Sequence, residues 1–414
     1  MSLPRMVRVR QTFPRPRVAD IPRAVADALA AAGLPIKRGD TVAVGAGSRG
    51  IANIDVIVGA TVRALKDLGA RPFVFPAMGS HGGGTPEGQL SVLEHYGITE
   101  ATMGCPVRAT MDVVQVGEAL GLPVWLDKYA SEASWIGLVN RVKPHTDFKG
   151  SIESGLFKMM TIGLGKYKGA IQYHRANIHH GYEKVITSVG REMLAKARIG
   201  FGFGIVENGY DETARIEAFT GANLEDGERR LLKDAREWMA RLPFSPIDVL
   251  IVEEIGKNIS GAGMDTNVIG RPSNPHEPFP NDPKILWIVA LELTDESYGN
   301  ATGIGNADFT TRRLVEKIDM KPTLINCITA CAPNGAKIPA TYDTDREAIE
   351  TALSCIGLTP PSSARVIRIK NTLMLGEIEV SEAYLPELGR RSDLTPLGDP
   401  APLAFDVAGR LRAF

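Results

Sequence analysis

The densest run of chemistry-bearing side chains extends from Asn140 to Gly181, NRVKPHTDFKGSIESGLFKMMTIGLGKYKGAIQYHRANIHHG. It contains four of the seven histidines, His145, His174, His179 and His180, with Lys143, Lys149, Lys158, Lys166 and Lys168 among them. Ligands, bases and primary amines this close together indicate a working segment rather than a linker. Two further groups stand upstream: His81 in the loop MGSHGGGTPEGQ, and Arg49 in the turn GAGSRG.

Each of these has a chemical reading and a plain one. His81 lies between glycines and a serine, so it is not a core residue; it is either a solvent-facing loop histidine or an acid–base group. Pro144 stiffens the loop before His145, and Asp147 follows it, an acid able to orient or polarise an imidazole. The alternative for His145 is a turn histidine bonded to backbone. His174, beside Tyr173 and followed by His179 and His180, suggests a metal, yet no His-Glu-x-x-His or Cys-x-x-Cys spacing is present. The arrangement the sequence allows is one protein imidazole, with the other ligands brought by a cofactor or substrate. Lys158, flanked by Phe157, Met159 and Met160, is a nucleophilic amine if buried and a snorkelling surface lysine if not. GAGSRG lacks the full dinucleotide spacing, and a guanidinium fork suits a carboxylate. A structural turn with a surface arginine is the alternative there.

The elements that must position these groups alternate in type. Ile21–Gly33 reads as a helix, Thr41–Val44 as a buried strand running into GAGSRG, Ile54–Leu68 as a second helix and Pro72–Ala77 as a strand that delivers His81, with a helix starting near Pro86. This is a βαβ unit and implies a parallel sheet. Val113 to Leu138 reads as three short strands, the last, Ser134–Val139, opening into the His145 loop. Apolar residues at helical spacing from Ser151 to Ile162 predict a helix capped by Ser151 and carrying Lys158. Glu183–Ala197 and Leu224–Leu242 are further helices, with a strand at Ile199–Val206 between them. Prolines in Leu242–Asp248 mark a boundary. Beyond it come strands at Ile247–Val252, Leu286–Leu293, Thr323–Ile328 and Arg365–Lys370, helices at Thr310–Ile318 and Asp345–Ile356, and a short helix from Phe405. The expected fold class is α/β, with two domains of mainly parallel sheet flanked by helices and the active site in the interdomain cleft. The domains are residues 1–244, a catalytic and cofactor-binding part, and 247–392, followed by a tail, 393–414, that packs back on the first.

The 414 residues, 44% hydrophobic with 43 glycines, suffice for two cores. Basic and acidic residues number 47 and 48, a net charge of −1, so nothing favours nucleic acid or an anionic membrane as partner. No apolar run reaches the length of about 18 residues that a membrane helix needs. The basic N-terminus has no apolar stretch of a secretory signal and reads as a strand. Cys105, Cys327, Cys331 and Cys355 are scattered, as expected of reduced thiols in a cytoplasmic protein.

Taken in order, the GSR turn at Gly47–Arg49, GSHGGGTPEGQ around His81, Pro144-His145, a G-x-x-x-S-G-x-x-K stretch ending at Lys158, and then His174 resemble the nickel-dependent lactate racemase family, whose members use a nickel-pincer nucleotide. The resemblance covers most of residues 40–180 and is weaker beyond Pro246. It implies that Lys158 is the covalent attachment point, with Lys166 as second candidate, and that His174, sixteen residues on, binds nickel. It further implies that His81 and His145 are the paired acid and base, that Arg49 holds the substrate carboxylate, and that Lys257 in EEIGKN contributes from the second domain. The family's tyrosine–glutamine pair after this lysine is absent; Asp265, Asn267 and Arg271 occupy the loop, which suggests a substrate more polar than lactate. The expected activity is racemisation or epimerisation of a 2-hydroxy acid by hydride removal and return, in a protein served by cofactor-biosynthesis partners. An NAD-linked oxidoreductase and a non-enzymatic sugar-acid binding protein are the alternatives. The oligomeric state is left open.

Overall fold

The computed structural model describes residues 2–47, 50–272, 274, 276 and 279–412. The chain forms two compact units, one of Pro14–His145 and Lys149–Met239, the other of Met1–Phe13, Thr146–Phe148 and Ala240–Phe414. The opening strand β1 (Arg5–Gln11) belongs to the second of these. Residues 1–13, expected with the N-terminal half, group there because β1 is hydrogen-bonded between two strands of the C-terminal sheet.

In the first unit, α1 (Ile21–Ala32) is capped by Asp20, which accepts from the Arg23 N–H, and closed by Gly33 at φ 62. Then follow β2 (Thr41–Ala46), α2 (Ile54–Asp67), β3 (Arg71–Pro76), α3 (Pro86–His95), α4 (Glu100–Met103), a hairpin of β4 (Val113–Ala119) and β5 (Leu122–Asp127), α5 (Lys128–Glu132) and β6 (Trp135–Arg141). Next, α6 (Leu156–Lys158) passes through a π-turn at Met159–Gly163 towards α7 (Lys166–His180). The unit finishes with α8 (Tyr182–Lys196), β7 (Ile199–Glu207), β8 (Thr213–Phe219) and α9 (Leu224–Trp238). The main sheet has the order β3-β2-β6-β7-β8, all parallel except β8. The chain leaves β2 for β3 on one side and later returns to β6 on the other, so the topological switch lies between β2 and β6. The glycine-laced sequence of β7 has a packing reason. Phe201 and Phe203 enter the buried cluster with Val44, Ile57 and Leu65. The alternating glycines leave room on the other face: a side chain at Gly202 would press on Leu156 and Leu224, and one at Gly204 on Leu231.

The second unit contains β9 (Ile247–Ile255), α10 (Thr266–Ile269), β10 (Ile285–Leu293), β11 (Phe309–Thr311), α11 (Arg312–Glu316), α12 (Met320–Thr329), β12 (Ala340–Tyr342), α13 (Asp345–Ser354), β13 (Val366–Ile369), β14 (Glu377–Ser381), β15 (Leu394–Pro396) and β16 (Ala401–Pro402). Its sheet order is β12-β11-β10-β9-β13-β14-β1-β15, with β16 also on β1. The part from β12 to β13 is parallel; β14, β1 and β15 continue it antiparallel. The α/β class with mainly parallel sheets is as expected.

Three local expectations fail. Thr323–Ile328, read as a strand, lies inside α12, where Asp319 caps the Lys321 N–H. Only Thr323 and Cys327, one helical turn apart, are buried, while Leu324, Ile325 and Ile328 are exposed; a short apolar run carries no usable period. The helix expected from Ser151 begins at Leu156, because the Ser151 N–H and hydroxyl both bond Glu183 at 2.6 Å instead of capping. Phe405 pairs across a bridge with Leu411 rather than opening a helix.

Val9 on β1 is fully buried among Leu250, Ile367 and Ile378. Val9→Asp would bury an unpaired carboxyl and destabilise this unit by on the order of several kcal/mol. Hydrogen exchange should show β13 and β14 amides losing protection while β2 and β6 keep theirs.

Candidate functional site

The strands β3, β2 and β6 are adjacent and parallel, so their carboxyl ends share one edge. Three of the singled-out segments leave from that edge: the His81 loop after β3, the GSR turn after β2 and the Pro144-His145 loop after β6. The crevice outside a switch point is where such sheets hold ligands. Ser48 and Arg49 lie outside the described residues. Gly47 just before them donates its N–H to the Val139 carbonyl at 3.0 Å, and a Cβ there would collide with the Asn140 amide. Asn140 donates its own Nδ2 to the Gly155 carbonyl at 2.8 Å, which ties the strand end to the start of α6.

His145, 5% exposed, places its ring Nε2 2.7 Å from the Nζ of half-buried Lys158. The two side chains share a proton, whichever nitrogen carries it. The His145 ring lies 5.9 Å from the ring of buried Tyr182, and the His174 ring meets the same tyrosine edge-on at 6.3 Å. Two imidazoles, His145 and His174, therefore meet Tyr182 at the start of α8, and the first of them also holds the Lys158 amine. The backbone of His145 is gripped from both sides. Its N–H donates to Glu153 Oε2 at 2.6 Å, and its carbonyl accepts from Lys149 Nζ at 2.9 Å. Glu153 is fully buried and also accepts from the Gly150 N–H at 3.0 Å and Arg236 Nη2 at 2.6 Å. Asp147, expected to orient the imidazole, groups with the second unit; there its neighbour Thr146 accepts from the Thr266 hydroxyl at 2.5 Å. The acid that fixes the loop is Glu153, whose only sequence signal was the i,i+4 spacing from Lys149. His179 and His180 fall in the last turn of α7, His179 exposed.

The His81 loop is held from beneath. Thr85 caps α3 by accepting from the Gly88 N–H at 3.1 Å, and Gly82 and Gly88 meet backbone to backbone with no space for a Cβ on either. Buried Gln89 donates to the carbonyls of Gly79 at 2.9 Å and His81 at 3.3 Å. Its Oε1 accepts from Lys166 Nζ at 3.1 Å, and the same ammonium lies 2.5 Å from the Pro76 carbonyl and 3.0 Å from Asp127 Oδ2. Lys166 and Asp127 are both fully buried. Burial pushes the Asp127 carboxyl up and the Lys166 ammonium down, and each partner partly offsets the other's shift. Lys166 also has a left-handed backbone, φ 52, unusual for a lysine and sustained by these bonds. The second candidate for attachment is thus an internal anchor with no access to a ligand.

In the second unit, Lys257 follows the carboxyl end of β9. Its N–H donates to Ser297 Oγ at 2.9 Å and its Nζ to the Gly261 carbonyl at 2.7 Å. Asp265 caps α10, accepting from the Asn267 N–H at 2.9 Å and Nδ2 at 2.8 Å. Arg271 pairs with Asp308 at 2.6 Å and donates to the carbonyls of Ile285 and Leu286 at 2.8 and 2.6 Å. Asp265 and Arg271 thus take part in the bonding of their own loop. No group of three or more His, Cys, Asp or Glu able to hold a metal occurs among the described residues. None of the described helices is long and apolar enough to cross a membrane.

The fold defines a two-unit α/β protein whose candidate site segments follow strands that end at one parallel-sheet edge. Among solved structures it is similar to the lactate racemase apoprotein from Thermoanaerobacterium thermosaccharolyticum, with a TM-score of 0.55 and 13% identity, over 89% of this chain and 99% of that one. At that identity the likeness is one of fold. No protein-family model and no curated protein matches the sequence.

Breaking the buried pair should be costly: Lys166→Met is expected to lose about 3–5 kcal/mol by leaving Asp127 uncompensated. Adding Asp127→Asn should restore part of it, and chemical denaturation of the single and double variants measures both. Equal loss in the two would show that the pair's charge is not what matters.

Proposed function

We propose that this chain is a racemase or epimerase of a 2-hydroxy acid that works with a nickel-pincer nucleotide attached through Lys158. The observation that carries this reading is the Lys158 amine 2.7 Å from Nε2 of His145, whose ring lies near the same Tyr182 ring that His174 meets. The fold likeness to a lactate racemase apoprotein supports it. The donor set fits such a group. A half-buried primary amine suits covalent attachment, and a lone imidazole on α7 suits a nickel ion whose other ligands are soft donors of the cofactor. Cofactor-biosynthesis proteins would be its partners.

The C2–H of a 2-hydroxy acid is scarcely acidic, so inversion through proton loss from carbon is slow. The nucleotide, when bound, supplies a carbon that accepts a hydride from C2 and returns it. The chain's own task is proton transfer at the hydroxyl oxygen. His145 takes or gives that proton at Nε2 in one direction and His81, from the loop after β3, in the other. The Glu153 and Lys149 bonds fix the His145 backbone. For Nε2 to reach substrate, the Lys158 amine must let go of it; a lysine nitrogen committed to an adduct does so. Arg49 is assigned the substrate carboxylate and Lys257 a supporting contact from the β9 loop. The incomplete glycine pattern of GAGSRG gives an NAD-linked alternative no comparable support.

Protein coexpressed with cofactor-making enzymes should carry a nickel-bearing adduct by intact mass and metal analysis, and Lys158→Ala should carry none. His81→Asn and His145→Asn should keep the adduct and lose about 10²–10⁴-fold in racemisation. Substrate deuterated at C2 should keep its label on inversion. Label lost to solvent, or wild-type protein with neither adduct nor nickel, would overturn the reading.

A further inference from the structure

Glu228 on α9 is fully buried, a rare position for a carboxyl group with no cation against it. Its Oε2 accepts the Phe157 N–H at 2.9 Å. Its Oε1 has no hydrogen-bond partner among the described residues and fills the space that a side chain at Gly155 would need. Gly155 and Phe157 belong to the turn that ends at Lys158. On the same turn, the Gly155 carbonyl is held by Asn140 of β6 at 2.8 Å. One strand and one helix therefore grip the segment whose last residue presents its amine to His145. Nothing in the cap geometry of α6 alone needs a buried acid, since the first N–H groups of a helix are ordinarily met by water or by a local hydroxyl or carboxylate.

We infer that Glu228 is a positioning residue for Lys158, fixing the turn that sets its Nζ against Nε2 of His145. The assignment deepens the proposed function and matters for catalysis only if Lys158 works as stated there. The placement itself can be read on protein without cofactor. Burial raises the Glu228 carboxyl to about 8, while the Phe157 and Leu156 N–H groups pull it down and Glu225, a turn earlier on α9, adds a small rise. Glu225 is itself paired with Arg191 of α8 and Arg229 of α9. The α6 segment faces Glu228 with backbone N–H groups. The charged and titratable groups about the reporting pair are Glu153 and Lys149 on the His145 backbone, Arg236 on Glu153, and Tyr182 against the His145 ring.

The test is an NMR titration of the cofactor-free full chain, following the Phe157 amide, the His145 ring and the Lys158 side chain from pH 5 to about 10. In wild type all three should share a step near pH 8. In Glu228→Gln, which keeps an acceptor for Phe157, the shared step should vanish and the resonances should stay at their wild-type low-pH positions. Glu228→Ala should displace the His145 and Lys158 resonances at every pH. If Phe157 reports the step and His145 and Lys158 do not, Glu228 is a cap without a positioning role and the inference fails; the wild-type titration decides this even if a variant does not fold. A protein that never takes up nickel would sink the proposed function and leave this result standing.

Discussion

The buried ion pair of Lys166 and Asp127 is the constraint on which the site-bearing unit depends. It joins the end of the β4–β5 hairpin to the first residue of α7, and through Gln89 it reaches the loop that carries His81. Two charges taken out of water are stabilising together only when the geometry is good and their remaining valences are met. Here the ammonium has Pro76 and Gln89 as further acceptors, and Asp127 accepts from the Ala130 N–H at 3.0 Å. The left-handed backbone at Lys166 follows from the same demand. The π-turn must end so that the side chain points inward rather than along the surface of α7.

A second layer of fixed polar groups lies under the other histidine. Glu153 does for the His145 loop what Gln89 does for the His81 loop: a buried side chain takes up backbone groups, N–H donors at Glu153 and carbonyls at Gln89, so that the histidine needs no regular element to hold it. Glycine supplies the close approaches that make this possible, at Gly82 and Gly88 in one loop and at Gly155 beneath Glu228 in the other. Loops braced in this way keep catalytic side chains at set positions while the chain still turns sharply at a strand end.

Much of this was legible in the sequence, and the failures are instructive. The βαβ order, the strand before His145 and the glycine loop around His81 follow from period and turn chemistry, which are local. The Lys158–His145 approach is not local. It depends on Glu228, 70 residues beyond Lys158, seating a turn that lacks its own cap. Lys166 and Lys158 look alike in the sequence, each set among glycines and apolar residues, and only the structure shows that one is buried against Asp127 and the other is half-buried against His145. The strand read at Thr323–Ile328 failed for the opposite reason: its apolar residues mostly face outward, so composition pointed to a core that α12 does not enter. Arg49, chosen for its place after β2, falls outside the described residues, and its role rests on position alone.

A metal gripped by the protein alone needs three or four donors converging from rigid elements, and among the described residues no such set converges. On the proposed function, the His174 imidazole of α7, edge-on to Tyr182, and the Lys158 amine of the α6 turn would instead seat a ligand that brings its own donors. The 2.7 Å bond between His145 Nε2 and Lys158 Nζ joins the loop after β6 to the α6 turn, so a change at either side chain is felt at the other.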